Sequence, residues 1–306
     1  MRILLLGKNG QVGWELQRTL MPLGEIISTD YPEIDLADFN GIRNLIRELR
    51  PQMIVNAAAY TDVDKAESEP ELAFAINGTA PGVLAEEAKR IGAALIHYSS
   101  DYVFDGQKGV PYVETDTPNP INVYGQSKLA GERAIQQVGS SYLILRTAWV
   151  YSLRRDNFVT KVLMWARQKE ILTIVEDQIG SPTWARVLAE ITALVIGLGM
   201  ENIKGYLSER CGIYHLVCTG SPSRLEWARI VLEYDPCREE QRVRQIMAAN
   251  SSDFSSPAPR PPNSSLNSSH FSQTFGICIP DWQSTLRLAL GKDHKALCGV
   301  VETPQS

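Results

Sequence analysis

The sequence predicts a doubly wound α/β fold, and three observations predict it. Short, nearly continuous apolar runs alternate with amphipathic stretches through the first half. A glycine-spaced turn follows the first run, and the polar residues Asp30, Asn56 and Ser100 close the next three. Apolar runs separated by helices indicate a parallel sheet covered on both faces. Right-handed crossovers then wind it in two directions and gather the strand ends along one edge.

The elements follow in order. Strands are predicted over residues 3–6, 26–28, 53–56, 93–98 and 142–145, where apolar and β-branched residues dominate. Helices are predicted over 11–20, 39–49, 72–90 and 123–138, where apolar residues recur at helical spacing. The second half is less regular. It reads as a helix at 157–167, a strand at 171–175, a helix opened by Ser181-Pro182 and running to 196, a strand at 213–217 and a helix at 223–233. Residues 250–269 are rich in Ser, Pro and Asn: a disordered linker, which composition favours, or a long ordered loop over a site. A last helix is expected at 281–290, with the final dozen residues frayed. Residues 1–177 are assigned to one domain and 178–306 mainly to a smaller one, with segments interleaved between them.

Composition excludes several classes of function. With 306 residues, 44% hydrophobic and 21% charged, the chain has ample length for a packed core. A net charge of −5 carries no signature of nucleic-acid or membrane binding. Any anionic ligand must be held by local amides and a few basic side chains. Five cysteines, odd in number and without a CxxC, argue against a disulfide framework and a zinc site, and for a reducing compartment. The apolar start at residues 3–6 is too short for a signal segment and runs into a glycine turn, so it reads as a strand. No stretch approaches the ~20 apolar residues of a membrane span. The expected compartment is the cytoplasm.

The turn Gly7-x-x-Gly10-x-x-Gly13 opens the first helix through Gln11 and Val12. Glycines there permit a tight turn and close approach of a pyrophosphate to a helix N-terminus, so the expectation is dinucleotide binding. Asp30 closes the second strand, where a carboxylate receives a ribose 2′-hydroxyl and favours NADH, whereas Lys8 could hold the 2′-phosphate of NADPH. Both remain open. In the stretch 35–39, Asp38 and Phe39 could meet an adenine edge or simply start a helix. Ala59, Tyr60 and Thr61 follow the third strand and Tyr98 lies in the fourth, all at the expected cofactor edge. Tyr124 and Lys128 stand four apart in a predicted helix, one turn apart on one face. A unit charge ~4 Å away at an effective dielectric of ~20 is worth on the order of 4 kcal/mol, enough to lower a phenol pKa by two or three units. Ser100, ending the fourth strand, would face a carbonyl. Together these suit ketone reduction, with Ser100, Tyr124 and Lys128 as the catalytic set.

Ser100, Tyr124, Lys128, the glycine turn and the run Asn56-Ala57-Ala58-Ala59 resemble the extended short-chain dehydrogenase/reductases. More narrowly, the chain is similar to the dTDP-4-dehydrorhamnose reductase family. The similarity rests on Val63-Asp64-Lys65-Ala66-Glu67, Ser100-Asp101-Tyr102-Val103-Phe104, Arg146-Thr147-Ala148-Trp149, Asp177-Gln178-Ile179-Gly180-Ser181-Pro182 and Arg260-Pro261-Pro262-Asn263, and spans residues 1 to about 290. It implies NADPH or NADH as cofactor and reduction of the C4 ketone of a dTDP-sugar by a monomer or homodimer. It also implies that residues 250–269 are an ordered substrate loop in which Arg260 meets the diphosphate. Trp149 would form an apolar wall for the sugar, and Ser100, Asp101, Asn157, Gln178 and Ser181 would line the substrate site. Some members use Mg²⁺ at a dimer contact, and the resemblance leaves Mg²⁺ open; Glu15 is present, but Arg186 stands where an acidic ligand is expected, which argues against a metal-bridged dimer, and no metal-ligating residue is assigned. Two competitors remain. Dehydratases and epimerases share the fold, but Tyr102 follows Asp101 where a dehydratase needs an acidic pair. The regulatory subunit of methionine adenosyltransferase also resembles this family, binding NADP without catalysis.

Overall fold

The computed structural model describes residues 1–291, so the expected fraying of the last dozen lies outside the described residues. The first half runs β1 (Arg2–Leu6), α1 (Gln11–Leu20), β2 (Glu25–Thr29), α2 (Phe39–Leu49), β3 (Met53–Asn56), α3 (Val63–Ala66), α4 (Pro70–Phe74), α5 (Ala80–Ile91), β4 (Ala94–Ser100), α6 (Val123–Val138) and β5 (Tyr142–Thr147). The second half adds β6 (Val150–Tyr151), α7 (Phe158–Gln168), β7 (Ile171–Val175), β8 (Thr183–Trp184), α8 (Ala185–Leu198), α9 (Ile203–Glu209), β9 (Gly212–His215), α10 (Arg224–Glu233), β10 (Gln245–Ala249), α11 (Ser269–Phe275) and α12 (Trp282–Ala289).

The main sheet is parallel in the order β2-β1-β3-β4-β5-β9. Its sixth strand comes from the second half, so the chain returns to complete the first sheet. One face packs Leu16 and Leu20 of α1 and Leu188 and Ile191 of α8 against Ile3, Leu5 and Val55. The other packs Ile42 and Ile46 of α2 and Leu84 and Ala88 of α5 against Leu4, Leu6 and Ile54. Register aligns the strand ends: Leu6 lies beside Asn56, Asn56 beside His97, and Ser100 beside Thr147. Polar residues at those ends therefore share one edge, as Asp30, Asn56 and Ser100 suggested.

Several boundaries differ from expectation. The helix expected at 72–90 is interrupted by a wider π turn at Ala75–Thr79. There Asn77 turns inward, accepting from the Tyr60 amide at 2.9 Å and donating to Ser127 Oγ at 3.1 Å. The helix expected from 181 starts at Ala185, because Thr183–Trp184 pairs with Val150–Tyr151 as a strand. Cys211, Cys218 and Cys278 are free thiols.

The Ser/Pro-rich segment is ordered, so the linker reading fails. Its serines and carbonyls are consumed by hydrogen bonds to four distant segments. Ser251 donates to Asp177, Ala258 N and Ser256 Oγ donate to Asp64, and the Pro259 carbonyl accepts from Asn122 Nδ2. Ile179 N donates to the Pro262 carbonyl at 2.7 Å, and Ser264 Oγ donates to Asp101 at 2.5 Å. A stretch without apolar periodicity is thus held mainly by polar satisfaction, with Leu266 packed beside Phe104 and Tyr112 as its apolar anchor.

Helix α6 is seated by charge. Asn122 caps it by accepting from Gly125 N at 2.8 Å. Its buried face carries Lys128, Glu132 and Ile135. Glu132 accepts two bonds from Arg146 of β5, at 2.9 and 2.6 Å, and one from Ser99 of β4 at 2.5 Å, with both ionic side chains at most 2% exposed. Removing one partner of such a pair leaves an unpaired buried charge, worth about 3–5 kcal/mol. Arg146→Leu is therefore expected to lower the urea-unfolding free energy by about 3 kcal/mol or more. A loss below about 1 kcal/mol would contradict the role given to this pair.

Candidate active site

The glycine turn is shaped for a bound anion. Gly7 has φ 86°, and a Cβ on it would sit 2.6 Å from Ala58 N. A Cβ on Gly13 would lie 1.9 Å from the Gly7 carbonyl oxygen, so the turn closes on α1 only with glycine there. Helix α1 starts at Gly10 with no side-chain cap, unlike α2, α6, α7, α10 and α12. Its first amides thus point unclaimed at a groove of about 680 Å³ lined by Gly7, Gly10, Gln11 and Val12. Those features fit a dinucleotide pyrophosphate.

Asp30 lines the same groove and is held by two amides, Asn9 N at 2.9 Å and Tyr31 N at 2.8 Å. Lys8 is turned away: its Nζ meets both oxygens of Glu33 at 2.6 Å. Ala59, Thr61, Tyr98, Ser100, Tyr124 and Lys128 all reach the groove wall. Three expected cofactor residues are placed differently. Asp38 caps α2 by accepting from Gly41 N at 3.0 Å, and Phe39 packs into the core under that helix. Asp35 and Leu36 line the groove in their place. Tyr60 turns its hydroxyl to Glu69 at 2.8 Å.

A second cavity of about 590 Å³ joins the groove, and the two share Thr61, Ser100, Asp101, Tyr124, Trp149 and Val150 as wall. Asn157 and Gln178 line it. Asn157 also caps α7 and donates to Gln11 Oε1 at 3.1 Å, which links the second cavity to the glycine turn. Ser181 does not line it: the side chain is fully buried and accepts from Leu266 N, bracing the strap from below. Arg260 does not line it either. Its guanidinium donates to Asp64 at 2.8 Å and to the Ala258 carbonyl at 3.0 Å.

The cation in the second cavity is Arg224, which the sequence reading missed. It opens α10, and its guanidinium stacks over Trp149 at 3.8 Å and Phe158 at 4.9 Å. It forms no ion pair among the described residues, and burial pushes its pKa down to about 10. A cation stacked on aromatic faces, attracted by Asp101 but joined to it by no salt bridge, is ready for an anionic ligand. Trp149 itself has φ 42°, a rare conformation for a bulky residue, and stacks on Trp227 at 5.4 Å. Gly180 makes that possible: a Cβ there would lie 2.2 Å from the indole. Phe158, Trp165, Trp227 and Phe254 complete an aromatic wall. In the sequence they are indistinguishable from core residues.

Where the cavities meet, Ser100 Oγ donates to Asp101 at 3.0 Å and accepts from Tyr102 N at 3.1 Å. Burial pushes Asp101 up to about 6, despite hydrogen bonds from Ser264 and Ser100. Burial also raises Tyr124 well above its ordinary value, opposite to the lowering expected from Lys128. The reason is removal of the phenol itself from solvent. Lys128 is 2% exposed, donates to the Tyr98 carbonyl at 2.7 Å and is itself pushed down to about 8 by burial. Its charge is weakened by the same cleft that desolvates the phenol. Among the described residues no cluster of acidic, Cys and His side chains could hold a metal ion, and no helix is long and apolar enough to cross a membrane.

Residues 1–294 match the family described as RmlD substrate binding domain. The dTDP-4-dehydrorhamnose reductase of Escherichia coli K12 is 42% identical over 302 residues, covering 95% of this chain and 98% of that protein. Among solved structures, the dTDP-4-dehydrorhamnose reductase from Bacillus anthracis in complex with NADP is 32% identical. It superposes with a TM-score of 0.84, covering 94% of this chain and 97% of that one. The Clostridium acetobutylicum orthologue gives 33% identity and a TM-score of 0.86, covering 95% and 98%. The glycine turn, the Ser100–Tyr124–Lys128 cluster and the two joined cavities thus belong to a chain that is a member of the RmlD family.

Proposed function

We propose that the protein is an NAD(P)H-dependent reductase that converts the C4 ketone of dTDP-4-dehydro-β-L-rhamnose to the alcohol of dTDP-L-rhamnose. The observation that carries this reading is the shared wall: Ser100, Tyr124 and Trp149 face a dinucleotide-shaped groove and an aromatic, cationic cavity at once. Full-length similarity to reductases of that name supports the substrate.

A nicotinamide dinucleotide, held by the glycine turn and the Asp30 edge, supplies the hydride when bound. The rest is done by the chain. Trp149 presents an apolar face to the deoxysugar, and Arg224 meets the nucleotide diphosphate. Ser100 donates a hydrogen bond to the C4 oxygen. The Tyr124 phenol gives that oxygen its proton as the C–O bond becomes an alkoxide. A raised pKa suits this direction, because the phenol stays protonated throughout the neutral range. Lys128 lies one turn along the helix to return the proton and hold the nicotinamide ribose. The proposal places the enzyme in the cytoplasm as a monomer or homodimer, which the free Cys211, Cys218 and Cys278 suit.

The direct test is oxidation of NADPH or NADH by purified protein with dTDP-4-dehydrorhamnose; no turnover with either cofactor would remove the proposal. In that assay Tyr124→Phe is expected to lower kcat by about 10²–10⁴-fold while cofactor still binds, the usual worth of a positioned acid. Full activity in this variant would exclude Tyr124 as donor.

Arg224→Met is expected to raise KM for the nucleotide sugar about 10- to 100-fold, the loss of one or two charge-assisted hydrogen bonds. The thermal midpoint should change little, because no salt bridge is lost and the methionine keeps an apolar contact with the aromatic wall. An unchanged KM would take the diphosphate away from Arg224.

Asp101 gives a pH signature. Its folded pKa of about 6 lies above the unfolded 3.8, so its stabilising contribution is complete below 3.8 and lost as pH rises through 6. Relative to the wild type, Asp101→Asn should therefore gain about 3 kcal/mol of stability between pH 3.8 and pH 7. Denaturant titrations at both pH values check it; a pH-independent difference would contradict the perturbed carboxyl.

A further inference from the structure

Beneath Lys128 lies a buried histidine that the mechanism has not used. His97 is 1% exposed, and its two ring nitrogens face different partners. Nδ1 lies 3.0 Å from Asn56 Nδ2, and Nε2 lies 3.5 Å from Lys128 Nζ. The amide orientation of Asn56 is decided by the backbone, because its Oδ1 accepts from Ala58 N at 3.2 Å. Its Nδ2 therefore donates to Nδ1, which must act as an acceptor. Burial and the neighbouring lysine push the pKa of His97 well below its ordinary value, so the ring is neutral and carries one proton. That proton is left on Nε2, pointing at Lys128.

This geometry discriminates between the two forms of the lysine. An amine at Nζ can accept from the ring N–H while donating to the Tyr98 carbonyl, so the ring N–H and the amine lone pair both find partners. An ammonium would set N–H against N–H. The ring cannot switch tautomer to relieve this while Asn56 donates to its other nitrogen. We propose that His97, oriented by Asn56, is a positioning residue that holds back the positive charge of Lys128, making the lysine a better acid toward the tyrosinate left after each turnover. The inference rests on the ketone reduction proposed above.

Other charged groups near Lys128 act in the opposite direction or cancel. On α6, Tyr124 lies one turn before it, and Glu132 one turn after favours the ammonium. From β5, Arg146 holds both oxygens of Glu132, and His215 of β9 lies 3.5 Å beyond Arg146. His97 of β4 contributes the ring N–H aimed at Nζ. Asn56 of β3 is the lever that sets it.

Two measurements test this. Nitrogen-15 NMR of the histidine rings of the wild-type protein is expected to show His97 as the neutral Nε2–H tautomer across the neutral range. The Nδ1–H tautomer, or a charged ring, would overturn the proposal whether or not the enzyme reduces the proposed sugar. Asn56→Asp then reverses the polarity: a carboxylate accepts from Nδ1–H, and the freed Nε2 lone pair accepts from the ammonium. The alkaline limb of the kcat–pH profile should move up by about one unit or more, the size of shift one hydrogen-bond reversal beside a buried charge produces. Placed in a His97→Phe background, the same change should move the limb far less. A limb that stays put in Asn56→Asp, or that moves equally without the imidazole, overturns the relay through His97.

Discussion

A carboxylate buried against the sheet fixes helix α6, which carries Tyr124 and Lys128. Glu132 is held by the Arg146 fork from β5 and by Ser99 from β4, so α6 is tied to two adjacent strands in one rotation. A helix packed only by Leu129 and Ile135 could turn about its axis by a few degrees at little expense. A bidentate ion pair tolerates much less, since its strength depends on both bonds staying short and parallel. Tyr124 and Lys128 sit two turns and one turn before Glu132 on the same helix. Their reach over the strand ends is therefore set by an interaction that touches neither ligand cavity. The buried pair is weak as a source of stability and valuable as a source of geometry.

A second constraint comes from the strap formed by residues 250–268. It buries only isolated apolar side chains such as Ala258 and Leu266, yet it crosses the molecule and ties Asp177, Ile179, Asp64, Asn122 and Asp101 together. Asp64 is the main anchor, accepting from Ser256, Ala258 and Arg260. Glu67, three residues on, accepts from Val123 N at the start of α6. One short helix and the residue that follows it therefore fasten the strap through Asp64 and the start of α6 through Glu67. The second cavity and the Tyr124 phenol are positioned from a common support.

Much of this architecture was legible because it depends on local pattern. Strand and helix periodicity placed α1, α2, α6 and β7 at their observed bounds, since each buries one regular face. The glycine turn was legible because few side chains fit its backbone. What escaped was everything that depends on burial of charge or on long-range polar contacts. Arg224 begins an ordinary amphipathic helix, and only the fold shows that aromatic rings surround it. Arg260 carried a family expectation, but Asp64 claims its guanidinium. The raised phenol of Tyr124 was invisible for the same reason. A spacing of four residues gives the direction of a neighbouring charge but says nothing of the solvent removed from both groups. Short strands such as β6 and β8 were missed because two residues carry no period.

Trp149 and Gly180 behave as a single unit of variation. The indole occupies the volume a side chain at 180 would need, and it does so from a backbone conformation that a bulky residue rarely adopts. Mutational drift at either position alone meets a clash or a hole, so change in the shape of this pocket is expected to arrive in pairs. A library built to alter the sugar accepted would waste most of its members if it varied 149 with 180 held fixed. Varying the two together, with Trp227 left as the floor they rest on, explores the pocket shapes the scaffold can tolerate.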